Sequence, residues 1–186
     1  MRRFIDIVES AQEGVSSDHI EEALWWVSRY VSGSLNDPDW DWGQPTHLNV
    51  TQAMEIVGQY VGNHSSIGKP LYRYLNLTRP KALALQQSMM LVPRKLGFQS
   101  FTEHGEQALE IGREIHPDAK IDTIVCAEVP SSDVIFGMAD LKRAHRLRGV
   151  ADLYMQLGDW HHQGEVIVRV TGPLKLRDVK ISKPDW

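Results

Sequence analysis

The sequence predicts an α+β domain: helices first, then a mainly antiparallel sheet. Apolar residues recur at helical spacing through the first third of the chain. From Leu71 onward the patterned stretches alternate, or run as short β-branched segments, as strands do. Helices and strands do not take turns along the chain in the regular way that a parallel sheet of βαβ units requires.

Two parts follow, a helical segment over residues 1–66 and a sheet-bearing core over 67–186, together making one domain. In the first part Asp18 and Glu21 form a capping-box start, and Ile20, Ala23, Leu24, Val27 and Val31 repeat on one helical stripe. Gly33 ends that helix. Residues 36–45 hold three Asp, two Pro and a Gly, the composition of a loop. A second helix is expected from Thr51 to Val61, with Met54, Val57 and Val61 on one side and Gly62 as its stop. Beyond Pro70, Leu71, Arg73, Leu75 and Leu77 alternate with Tyr72, Tyr74 and Asn76 as a strand. Glu103–Ile115 reads as a helix facing a core with Ala108, Leu109, Ile111 and Ile115. Ile121–Val129, Glu165–Val170 and Leu174–Ile181 read as strands, the last after a turn at Gly172-Pro173.

The chain of 186 residues is 42% hydrophobic and 24% charged, the balance of a globular protein rather than a disordered one. A net charge of -4 gives no electrostatic footing for an obligate nucleic-acid binder. The one cysteine, Cys126, cannot form an intrachain disulfide and lies in an apolar run, where it reads as a small buried hydrophobe. The start Met1-Arg2-Arg3 meets Asp6 and Glu9 before an apolar stretch develops, so neither a signal peptide nor a membrane span is expected, and a cytoplasmic setting is. His161 and His162 are adjacent and point apart, and neither HExxH nor CxxC spacing occurs, so no metal is expected. The basic run from Lys142 to Arg148 reads as a solvated helix face, or as a dock for an acidic protein surface or a nucleic-acid backbone.

Three polar intrusions stand out. Arg73 shares a strand face with Leu71 and Leu75, where an always-charged guanidinium must find a partner: a structural carboxylate, solvent, or a phosphate gripped by its fork. In Phe98-Gln99-Ser100-Phe101-Thr102, a strand would turn both hydroxyls the same way, and helix capping is the alternative use of them. In Gln163-Gly164-Glu165-Val166-Ile167-Val168, a carboxylate opens a β-branched strand, with Gln163 two residues earlier on the same side.

Taken in order, an Arg on a strand, an aromatic-x-Ser-x-Thr segment before a helix, and a Gln-x-Glu opening an apolar strand resemble the mono-ADP-ribosyltransferases of the Arg–Ser–Glu motif class. The similarity runs over residues 65–182 and implies a split, mainly antiparallel sheet of ADP-ribosyltransferase type that closes on a terminal hairpin. It implies that NAD is bound as substrate and its nicotinamide–ribose bond broken. Glu165 would then stabilise the developing ribosyl cation, Ser100 would orient Glu165 with Thr102 in support, and Arg73 would hold the diphosphate. The main chain of Tyr74 would meet the nicotinamide amide. Gln163 would sit where the family chooses its target, and Gln there points away from arginine as acceptor. Trp160 would lie on the loop meeting that target, either stacking on it or packing beside it. The acceptor implied is a macromolecule, protein or nucleic acid, in the chain's own cell or in one it attacks, as for effectors, toxins and phage takeover proteins. An NAD glycohydrolase and a non-catalytic binding protein that keeps the fold are the other two readings.

Overall fold

The computed structural model describes residues 17–31, 48–62, 65–93, 97–147 and 164–182. They divide into two compact units, Met1–His64 with Ala139–His161, and Ser65–Met138 with His162–Trp186. The helical part read from the sequence as residues 1–66 thus takes in a later stretch as well. Periodicity shows which face of a helix is apolar, but not which body that face joins.

In the first unit, helix α1 (Ser17–Val31) buries Ala23, Leu24 and Val27 and packs on helix α2 (Val50–Val61), which buries Ala53, Met54 and Val57. Asn49 caps α2 through a reciprocal box with Gln52, and Gly62 closes it. The Leu48 N–H donates to Glu22 Oε1 at 2.7 Å, tying the entry of α2 to α1. Trp25 and Trp26 meet edge to face at 5.2 Å, in keeping with packing aromatics.

The second unit carries strands β1 (Leu71–Tyr74), β2 (Met90–Leu91), β3 (Gly97–Thr102), β4 (Asp122–Ala127), β5 (Val134–Gly137), β6 (Glu165–Val170) and β7 (Leu174–Ser182). Helix α3 (Arg79–Ser88) lies between β1 and β2 and α4 (Gly105–Ile115) between β3 and β4; α5 (Met138–Leu147) follows β5 in the chain but from Ala139 onward belongs to the first unit. The strand order is β2-β7-β4-β1-β3-β6-β5, and every pairing is antiparallel. The fold is α+β with an antiparallel sheet, as the sequence predicts.

The join between β1 and β3 is a single register pair, Tyr72↔Thr102, whereas β1 pairs β4 and β3 pairs β6 along whole strands. The seven strands still form one sheet, whose shortest run of pairing between long strands is there. The two sides of that join must also curve toward each other. Across a flat sheet β6 and β7 would lie four strand spacings apart, about 19 Å, yet the chain passes from Val170 to Leu174 in four steps, which reach about 14 Å at most. One apolar core accordingly draws Leu71, Val125, Leu174, Leu176 and Val179 from one side and Phe101, Val134, Val166, Val168 and Val170 from the other. This corrects the expected terminal hairpin: β6 and β7 do not pair, and β4, β1 and β3 separate them.

Helix α4 lies close on β1. A Cβ at Gly112 would collide with the Tyr74 ring, so only glycine lets the helix settle there. Arg113 of α4 fixes the contact by donating from Nε and Nη2 to Asp122 Oδ2 at 3.2 and 2.8 Å. Ile115, expected to face the core, is 64% exposed, because Ala108 and Gly112 form the buried stripe.

Candidate functional site

Cross-strand partners share a sheet face, so the register assigns each side chain to one. Tyr72 pairs Thr102 and Thr102 pairs Glu165, which puts all three on one face. Ser100, two residues from Thr102, lies on that face too, opposite Ile167. The two hydroxyls do turn the same way. It is Thr102, however, and not Ser100, that stands directly across from the carboxylate, because β6 begins at Glu165 and its register with β3 starts at Thr102.

Thr102 also bonds the chain just before α4, whose N-cap is His104, with no side-chain cap bond. Thr102 Oγ1 accepts from the His104 N–H at 3.1 Å, satisfying an end donor of α4, and donates to Gln107 Oε1 at 2.8 Å. With its proton given to Gln107, Thr102 stands across from Glu165 without donating to it. The ladder runs one step further, the Glu103 N–H donating to the Gly164 carbonyl at 3.2 Å.

Arg73 leaves β1 on the other face, beside Val125 and Leu71. Its guanidinium carbon lies 5.7 Å from the centre of the Phe101 ring, and Nη1 donates to the Ser100 carbonyl at 2.9 Å. In a continuous ladder a strand N–H would hold that carbonyl. Past the single β1–β3 pair, a side-chain donor holds it. Arg73 and Ser100 are thus brought together through the main chain of β3, and Arg73 does not share the face of Glu165.

Tyr74 meets the β1–β3 join by its backbone. The Leu75 N–H donates to the Thr123 carbonyl on β4 at 2.8 Å, so by alternation the main-chain groups of Tyr74 turn the other way, toward β3, past the last paired position. Its ring goes under α4, where the hydroxyl donates to Asp122 Oδ1 at 3.3 Å and His116 stacks on it at 6.1 Å. Burial, then the neighbouring Asp122 charge, push the Tyr74 phenol above its usual value.

Glu103 anchors the approach to β1. Ser66 Oγ and Lys69 Nζ each donate to its carboxylate at 2.7 Å. Burial alone would raise this carboxyl, but those hydrogen bonds and the Lys69 charge together hold it below the usual carboxylate range. Cys126 is buried, as its apolar run suggests, and burial pushes its thiol up.

Gln163 and Trp160 lie outside the described residues. An open pocket of about 560 Å³ sits elsewhere, bordered by Lys69, Glu128, Asp133, Lys175 and Arg177, and none of Arg73, Ser100, Thr102 or Glu165 lines it. Among the described residues no group of three His, Cys, Asp or Glu is arranged to hold a metal ion, and no helix is long and apolar enough to cross a membrane. Sequence reasoning missed Gln107. Its signal is a glutamine in the first turn of α4, five residues after Thr102, a spacing that differs from the usual capping box.

Comparison with protein-family models, with curated proteins and with solved structures yields no match.

Proposed function

We propose that this chain binds NAD⁺ at the join between β1 and β3 and breaks the nicotinamide–ribose bond, as a mono-ADP-ribosyltransferase acting on a macromolecule. The observation that carries the reading is topological. Arg73, Ser100 and Glu165, far apart in sequence, stand on β1, β3 and β6, three neighbouring strands; Ser100 and Glu165 share one face, and Arg73 reaches the Ser100 carbonyl from the other.

The chemistry suits those residue types. When the C1′–N bond of NAD⁺ breaks, its electron pair leaves with nicotinamide, which departs neutral, and positive charge develops on the ribose. A preorganised carboxylate beside that ribose lowers the barrier, and Glu165 holds that place in this reading. The acceptor then attacks C1′ and gives up its proton. Arg73 brings to the join the permanent positive charge that a diphosphate requires. The main-chain groups of Tyr74, turned toward the same join, suit the amide of nicotinamide, a donor and acceptor in one group.

Incubation of the chain with NAD⁺ should release nicotinamide, and in a cell lysate labelled NAD⁺ should mark a macromolecule. Glu165→Ala should cut release by about a hundredfold or more while the protein stays folded. Near-normal turnover in that variant removes Glu165 from the mechanism. Nicotinamide release without a labelled species makes the chain a glycohydrolase.

A further inference from the structure

We infer that Gln107 is a positioning residue for Glu165, acting through Gly164 and Thr102; the inference rests on the role given to Glu165 above. The Gln107 side chain reaches back from the first turn of α4 to the mouth of β6. Its Oε1 accepts from Thr102, the residue across from Glu165, and the same oxygen occupies the space into which a Cβ at position 164 would project. The Thr102 hydroxyl would lie 3.3 Å from that Cβ as well.

Gly164 is not in the left-handed region, unlike Gly62, Gly68 and Gly97, so its backbone suits alanine. What a side chain there meets is the Gln107 carbonyl, which must swing away from Thr102 to admit it. The peptide leading into Glu165 is therefore held on one side by the ladder bond from the Glu103 N–H and capped on the other by Gln107. A carboxylate that must sit beside a developing charge depends on such support, since small displacements of a reacting group cost rate steeply.

The test is a double-mutant cycle on the full chain with Gln107→Ala, Gly164→Ala and both together, read by kcat and KM for nicotinamide release and by melting temperature. Each single change should lower kcat roughly ten- to a hundredfold, with KM for NAD⁺ little altered. Gly164→Ala alone should also lower the melting temperature by about 2–4 °C. In the double variant the added methyl meets no carbonyl, so kcat should fall no further than in Gln107→Ala, and the melting loss from the methyl should vanish. Additive losses, or an unchanged kcat in Gln107→Ala, overturn the inference while leaving the proposed function standing. A wild-type chain that releases no nicotinamide overturns both.

Discussion

Strand β3 pairs β6 from Gly97↔Val170 to Thr102↔Glu165, yet meets β1 at Tyr72↔Thr102 alone. Along the first border the backbone sets every distance, and the position of Glu165 relative to Ser100 and Thr102 is fixed by register. Along the second, past that pair, the Arg73 guanidinium reaches across to the Ser100 carbonyl. The two borders of β3 therefore differ in what holds them: a continuous backbone ladder on one, a single backbone pair with a side-chain donor beside it on the other.

Changes at Arg73 separate the borders most sharply. Arg73→Ala removes a charge-assisted hydrogen bond and the contact over Phe101, and should lower stability by about 2–3 kcal/mol in urea unfolding. Hydrogen exchange should quicken in β1 and at Ser100 while the β3–β6 amides keep their protection. Equal quickening on both borders would show that the two are not independent. Arg73→Lys should recover only part of the loss, since an ammonium lacks the planar fork.

Thr102→Val acts on the other border and should cost about 1–2 kcal/mol, because the His104 N–H loses its acceptor and Gln107 its donor. The expected signature is faster exchange at His104 with β1 unaffected. A β1 response would mean that Tyr72↔Thr102 carries more of the junction than Arg73 does.

The smallest effect is expected from Glu103→Gln, on the order of 1 kcal/mol at neutral pH. The native carboxyl titrates below its unfolded counterpart, so the folded state favours the ionised form. Its stabilisation is full above the ordinary glutamate value, roughly pH 4, and is lost as pH falls through the lowered native value. Melting curves of wild type and variant should thus differ at neutral pH and converge in acid. A gap that stays constant with pH would leave Lys69 and Ser66 without an electrostatic role.

Much of the layout could be read from residue patterns. β6 begins and ends where Glu165 and Val170 place it, α2 stops at Gly62, and the two hydroxyls of β3 share a face. Other elements were hidden for identifiable reasons. Leu75 and Leu77 extend the alternation of β1, but the strand ends at Tyr74, and the segment after Thr78 turns into α3 with Pro80 in its first turn. β5 is four buried residues with no polar alternation to mark a face. Within the candidate site, residue types picked out Arg73, Ser100 and Glu165. Which hydroxyl faces the carboxylate could not be deduced, because register is a relation between strands far apart in sequence.

By itself the sequence determined the α+β class, the helical stripes, the start of β6 at its carboxylate and the burial of Cys126, since each follows from local spacing and from the aversion of apolar groups to water. Only the tertiary structure decided that β1 and β3 part after one pair, that β6 crosses to β7 without pairing it, that Arg73 serves the Ser100 carbonyl, and that Gln107 closes over Gly164. Those outcomes depend on how the two sides of the sheet curve onto one core and on where α4 comes to rest. No local pattern encodes either, because the groups that meet there are 27 residues apart in one case and 57 in the other.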